Sequence, residues 1–333
     1  MGGGDGVSVE AAKWINALRQ LGHTVTTVAG AGADFELPGL AIGAPRAPSR
    51  RELDDALDGA QLVIVENLAS LPLNVSARDV LYEVLEGRTA VFRHHDLAWQ
   101  RERFAKGDAP RTAPTWHHVT INDLSRQQLL ERAVVARTMR NTFDVDPPEG
   151  ARARTRATLA VSDQRVVLLP SRIIERKNVA GAVTLAKRLD AVLWLLGPAE
   201  DDYETTLNEL LAREGVDVRR GLGPALSVDD AFAACDLVVL SSTWEGFGNA
   251  TIESVTHRRP LAVYPYPVLA EIRSFGFDFF DLEDVSAISQ FLDEPDELLL
   301  ERNLEIARRH FNLRSLPAQL GAALSTWRTT QRH

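Results

Sequence analysis

Lysine is nearly missing from this 333-residue chain: it occurs only at Lys13, Lys106, Lys177 and Lys187, and arginine supplies the rest of the 37 basic residues. A lysine inside a motif therefore marks a compact point charge where the chain elsewhere uses a guanidinium fork. Cysteine is scarcer still. Cys235 stands alone, which excludes an internal disulfide, and its apolar setting at 233–240 reads as a buried, inert thiol. No apolar run is long enough to span a bilayer, and residues 1–5 lack the charged-then-apolar pattern of a secretory leader. The expected location is the cytoplasm, with peripheral contact at the inner membrane face left open. A net charge of −9 argues against a nucleic-acid partner.

What is present is a length beyond one hydrophobic core, with 45% hydrophobic and 25% charged residues, as in ordinary globular proteins. Short β-branched runs alternate with helical patterns from end to end, the mark of parallel sheets built from βαβ units. In the first half the pattern predicts strands near 24–28, 62–66, 89–94, 118–121 and 134–140, with helices near 7–22, 51–58 and 77–87. The stretch 144–152 mixes proline, glycine and charge and reads as a linker. The second half restarts the pattern, with strands near 166–170, 192–196, 237–241 and 261–264 and helices near 179–189, 203–213, 228–234 and 249–257. The expected fold is α/β, with two Rossmann-like, doubly wound parallel-sheet domains facing a cleft. The first spans 1–146. The second spans 147–333, its terminal helices able to pack back on the first.

Ligands of such sheets bind beyond the carboxyl ends of the strands, and four motifs fall there. Glu245-Gly-Phe-Gly-Asn249 leaves an apolar strand and opens a helix carrying a second acid, Glu253. Gly246 and Gly248 let the backbone approach a ligand, and two ionised carboxylates suit the paired hydroxyls of a sugar and a ribose. A glycine turn with two solvated acids is the plainer alternative. A second loop offers Arg172 and Lys177 after a buried strand, where fixed cations would stabilise a diphosphate leaving group; its alternative is a solvated basic loop paired with Glu175. Gly2-Gly-Gly-Asp-Gly6 before the first helix could cradle phosphate, or be a tail. His94-His95-Asp96 ends a strand of the first half, where imidazole could meet a sugar hydroxyl and Asp96 could fix its tautomer. No further His, Cys or carboxylate cluster stands at metal-ligand spacing, so neither a metal nor a cofactor is expected.

Together and in this order, the four motifs resemble those of the family-4 retaining glycosyltransferases of the GT-B class, the group 1 glycosyl transferases. The resemblance implies a metal-independent hexosyltransferase that uses a UDP- or GDP-sugar and a sugar, lipid or small-molecule acceptor. By that resemblance Arg172 and Lys177 grip the donor diphosphate, Glu253 holds the ribose, and Glu245 with Gly246, Phe247, Gly248 and Asn249 holds the transferred sugar. Gly3 and Gly4 approach the phosphate, and His95 touches the sugar from across the cleft. Asn141-Thr-Phe-Asp144 is similar to the family's Asn-Gly-Val-Asp element. Two departures stand out: Ala250 replaces a proline, and Arg258 replaces a glycine. They motivate the alternative of a non-catalytic nucleotide-sugar-binding subunit of a glycosylation complex.

Three further expectations follow. The stretch 97–111, with Trp99, Arg101, Arg103, Phe104 and Lys106, suits an anionic acceptor or lipid headgroup, or a solvated helix with a few buried aromatics. Lys177→Met should cost more in turnover than in folding. A glycine loop normally hangs from the first strand of such a domain, and only Met1 precedes it here, so a strand of apolar residues upstream of Gly2 is expected.

Overall fold

The structure is a computed structural model that describes residues 6–200 and 202–329. Gly3 and Gly4 lie outside the described residues. The chain divides into two compact units, Met1–Asn141 with Leu313–His333, and Thr142–Asn312.

In the first unit, helix α1 (Gly6–Gln20) is followed by a two-stranded ribbon of β1 (Val28–Ala29) and β2 (Phe35–Glu36), then helix α2 (Arg50–Ala56). Strand β3 (Val63–Glu66), helix α3 (Val75–Val84), strands β4 (Ala90–His94) and β5 (Trp116–Thr120), helix α4 (Asp123–Leu130) and strand β6 (Ala136–Thr138) follow. The main sheet is parallel in the order β3-β4-β5-β6. Helix starts are set by short polar side chains: Ser49 and Glu52 form a capping box on α2, and Asn74 and Asn122 cap α3 and α4.

Two of the expected elements differ. The β-branched run at 24–28 does not join the main sheet; only Val28 and Ala29 are strand, paired with Phe35 and Glu36. Asp34 takes hydrogen bonds at 2.8 Å from both the backbone N–H and the hydroxyl of Thr27, which closes the segment on itself. The stretch 97–111 is not one helix but contains two 3-10 turns, Ala98–Gln100 and Glu102–Phe104.

Strand β4 is buried on both faces, so its alternation sorts two chemistries. Ala90 and Phe92 pack with Tyr82 and Trp116 under α2 and α3, whereas Val91 packs with Trp14 and Leu18 of α1. The C-terminal helix Leu316–Thr329 lays Leu320, Ala323 and Trp327 on that second cluster, which is why it belongs to the first unit. A fully buried leucine on such a face contributes about 1.5–3 kcal/mol.

The second unit runs through helix α5 (Arg152–Leu159), strand β7 (Arg165–Leu169), helix α6 (Val179–Arg188), strand β8 (Ala191–Leu195), helix α7 (Glu204–Glu214), strand β9 (Val218–Arg220) and helix α8 (Val228–Ala234). Strand β10 (Leu237–Leu240), helix α9 (Asn249–Thr256), strand β11 (Leu261–Val263), helix α10 (Leu269–Arg273), strand β12 (Phe280–Asp281) and helices α11 (Val285–Asp293) and α12 (Glu297–His310) follow. The order β12-β11-β10-β7-β8-β9 is parallel throughout. From β7 the chain winds one way through β8 and β9, and from β10 the other way, so the topological switch point lies between β7 and β10. The unit begins at Thr142 rather than at 147, because the Phe143 N–H donates to the Phe311 carbonyl at 2.7 Å and Phe143 bridges Asn312.

The first unit also buries an imidazole pair. The Ser70 hydroxyl lies 2.7 Å from His94 Nδ1, and His94 Nε2 lies 3.0 Å from His118 Nδ1. Burial pushes both rings down, aided at His94 by His118 and at His118 by His117; His118 reaches about 4. A histidine depressed this way stays neutral in the fold but takes up a proton once unfolded below about pH 6.5, so stability falls as pH falls from 6.5 toward 4. His118 alone should remove about 2 kcal/mol between pH 6.5 and 5. Urea unfolding should show that loss, and His118→Asn should flatten it; a wild-type midpoint that does not move across this window would contradict the assignment.

Candidate functional site

The loops that leave β7 and β10 meet at the switch point of the second unit. Ser241 Oγ donates to the Lys177 carbonyl at 2.8 Å, and the Thr243 N–H donates to the Arg176 carbonyl at 3.0 Å. These bonds carry Lys177 onto Glu245, where its ammonium donates to Oε1. Arg176 Nη1 reaches the Trp244 carbonyl at 2.8 Å and Glu245 Oε2 at 3.3 Å. Both charges of the central pair are buried, each residue 7% exposed.

Burial alone would raise the Glu245 carboxyl, but the Lys177 ammonium and the Arg176 guanidinium hold it below the usual carboxylate range. For Lys177 burial prevails, and its ammonium sits below the ordinary lysine value although Glu245 opposes that shift. A buried carboxylate held ionised by two cations is an acceptor fixed in place, as recognition of a hydroxyl-rich ligand requires.

Gly248 begins α9 with φ +83°, a left-handed conformation that suits glycine. A Cβ there would stand 2.4 Å from the Tyr266 hydroxyl, which itself donates to the Phe247 carbonyl at 3.0 Å and lies 3.1 Å from Thr251 Oγ1. Burial raises the Tyr266 phenol. The loop is thereby pinned from below, with the first turn of α9 and its positive dipole end above it.

Of the residues singled out in sequence, Lys177, Glu245, Gly246, Gly248 and Asn249 come together here. Glu253 is half-buried in the second turn of α9. Phe247 is 3% exposed, and its ring packs between Phe143 and Phe311, each centroid 5.9 Å away; its side chain anchors the loop. Arg172 does not touch Lys177. It pairs at 2.9 Å with Glu200, both half-exposed, and Gly197 lets that second loop lie against its backbone. Arg176, which the sequence reading passed over, takes the inner position. Its only signal was adjacency to Lys177.

The two departures have local reasons. Ala250 is buried in the first turn of α9. Arg258 holds φ +55°, the left-handed conformation a glycine would adopt, while its guanidinium bonds Glu301 and approaches Glu297.

In the first unit His95 is 6% exposed, with Nε2 at 2.8 Å from Glu66 Oε2. Asp96 pairs instead with Arg101 at 2.6 Å, so Glu66 and not Asp96 is the carboxylate on the imidazole. His94 belongs to the core pair. Glu66 ends β3 at its carboxyl end, a place where sequence could have drawn attention to it. A cavity of about 540 Å³ lies beside the loop after β4, lined by Pro72, Val75, Arg103, Phe104 and Lys106.

The larger cavity, about 800 Å³, opens instead at the amino ends of the strands of the second unit. Arg152, Arg156 and Arg259 there donate to the carbonyls that end α8, at Phe232, Ala233, Ala234 and Cys235. These guanidinium groups cap a helix rather than wait for a ligand. Among the described residues no group of three or more His, Cys, Asp or Glu could hold a metal ion, and no helix is long and apolar enough to cross a membrane.

Residues 152–299, which hold this site, match the family Glycosyl transferases group 1. Over that stretch the chain is similar to the group 1 glycosyltransferases. The chain is 24% identical to mannosylglucosylglycerate synthase of Thermotoga maritima over 94% of its own length and 95% of the relative's, and 22% identical to that of Petrotoga mobilis over 84% of each. Its GT-B fold is that of HepE from Anabaena, solved in complex with UDP and glucose, at a TM-score of 0.78 and 17% identity over 98% of this chain and 97% of that one. Sucrose-phosphate synthase from Thermosynechococcus elongatus gives 0.73 at 15% identity, over 97% and 93%.

Removing Lys177 leaves Glu245 buried with the more distant Arg176 as its remaining cation. Lys177→Met should therefore lower unfolding free energy by about 3 kcal/mol, a folding cost that sequence alone does not reveal. Adding Glu245→Gln should restore more than half of it. Additive losses in that double-mutant cycle would show that the two residues do not interact.

Proposed function

We propose that this glycosyltransferase moves a hexose from a UDP- or GDP-sugar to an acceptor hydroxyl with retention of anomeric configuration. The observation that carries the reading is the buried Lys177–Glu245 pair at the switch point, set against the glycine-opened turn of α9. Lys177 and Arg172 hold the diphosphate, Glu253 the ribose, and Glu245 with the loop 246–249 the transferred sugar. His95 meets a substrate hydroxyl.

Charge gathers on the diphosphate oxygen as its bond to the anomeric carbon breaks. The two cations favour that change, Lys177 from a buried position and Arg172 from the loop surface. The acceptor oxygen bonds to the anomeric carbon on the same face, and its proton passes to the departing phosphate, so no protein nucleophile is required. Protein cations do the work a metal ion does in other transferases, and no cofactor beyond the donor is needed. The relatives' names make a small glycosylated organic acid the first acceptor to try, with nucleotide-activated mannose as its donor partner. The reaction is proposed for the cytoplasm.

A panel of UDP- and GDP-sugars with glucosylglycerate, free sugars and cell extract should release nucleoside diphosphate from at least one donor, and product NMR should show a retained anomer. Arg172→Met should slow turnover on the order of a hundredfold while shifting stability by less than about 1 kcal/mol, since its surface pair with Glu200 contributes little. No donor bound or consumed across the panel would end the reading. Tight nucleotide binding without turnover on any acceptor would favour the non-catalytic subunit instead.

A further inference from the structure

We propose that Glu66 is a positioning residue that fixes His95 in one tautomer, with the proton on Nε2 and Nδ1 left to accept a hydrogen bond from a substrate hydroxyl. The inference rests on the transferase reading above for the identity of that hydroxyl as part of a sugar or acceptor. The hydrogen bond itself rests on the first unit alone.

An alternating series of charges crosses three elements under the carboxyl end of β4. Lys13 Nζ donates to Glu10 Oε1 at 2.5 Å, Arg93 Nη2 reaches Glu10 Oε2 at 3.3 Å, and Arg93 Nη1 reaches Glu66 Oε1 at 3.2 Å. Glu66 Oε2 then faces His95 Nε2. Arg93 is fully buried, also donates to Asn141 Oδ1 at 3.3 Å, and lies 4.3 Å from the Trp14 ring centroid. Burying a guanidinium costs several kcal/mol unless it is paired and bonded. Here the pairing aligns one carboxylate.

Burial would raise the Glu66 carboxyl, but Arg93 and His95 hold it below the usual range. An ionised carboxylate only accepts, so His95 Nε2 must be the donor. The backbone of His95 is held as well: its N–H donates to Asn67 Oδ1 at 3.0 Å, and Asn67, at φ +60°, donates its own N–H to the Arg93 carbonyl at 2.9 Å. Nδ1 makes no hydrogen bond within the described residues, and it stands where ligands of parallel sheets bind, beyond the end of its strand. In its neutral form, an imidazole so fixed can orient a hydroxyl or draw on its proton.

Glu66→Gln tests this with little change of shape. Arg93 offers only donors, so the amide must give it the carbonyl oxygen and turn its NH₂ toward His95. Nε2 then becomes the acceptor, and the proton moves to Nδ1. Nitrogen-15 NMR of histidine-labelled protein, with the His95 signals assigned by their loss in His95→Asn, should place the proton on Nε2 in wild type and on Nδ1 in Glu66→Gln. Glu66→Asp, which keeps the carboxylate, should return it to Nε2. Unmoved signals of the buried His94 and His118 report that each variant has folded.

With a donor that the enzyme consumes, kcat should fall roughly tenfold or more in Glu66→Gln while KM for the donor changes by less than about threefold. A wild-type proton on Nδ1, a tautomer unmoved in Glu66→Gln, or a moved tautomer with unchanged kcat would each overturn the proposal. Wild-type protein that turns over no donor would overturn the transferase reading instead, and the nitrogen spectra alone would then decide the tautomer.

Discussion

Two opposite charges with almost no access to water, Lys177 and Glu245, hold together the loops of two strands that neighbour each other in the sheet and wind away in opposite directions. Neither charge could sit there alone: a buried ion without its partner costs several kcal/mol, and each would shift its protonation to escape that cost. The remaining features of the second unit serve this contact. Ser241 and Thr243 bring one loop down onto the other, Tyr266 and Phe247 fix the glycine turn, and the αL conformation at Gly248 aims the first turn of α9. The result is a place with fixed donors, a fixed acceptor and a helix N-terminus, ready before any ligand arrives.

The first unit uses the same physical device with different residues. Strand β4 is buried on both faces, yet it ends in Arg93 and His94. Alternation turns Arg93 toward α1 and His94 toward the aromatic cluster of Phe92 and His118. One side chain is paired with carboxylates and the other bonds a neutral imidazole and lies beside a hydroxyl, so a single strand end carries a charged network on one face and an uncharged one on the other. Charge below neutral pH threatens only the second.

Much of this was legible in the chain. The apolar runs that became β7, β8 and β10 and the patterned stretches that became α6 and α8 announce themselves, since each is long enough for its period to show. Strands β9 and β12, of three and two residues, have no period to read. The run at 24–28 has strand-forming residues, but β propensity depends on a partner, and Asp34 supplies a local one instead. In the site, the glutamates and the glycine loop could be named because their chemistry is scarce. The scarcity of lysine did the same for Lys177. Which arginine would turn inward could not be read: Arg172 and Arg176 stand in one loop, and only the carbonyl of Trp244 and the carboxylate of Glu200 decide between them. Arg258 looked like a fault where a glycine was expected, and the structure shows an arginine adopting the glycine's conformation beside two glutamates.

We propose that the contact between Lys177 and Glu245 marks the seat of the donor. A crystal structure with a hydrolysis-resistant UDP- or GDP-sugar tests it most directly. The diphosphate should lie within hydrogen-bonding distance of Lys177 Nζ and the sugar against Glu245 and the start of α9. A donor seated at the arginine-lined cavity at the amino ends of the strands, or bound without touching either residue, would contradict it.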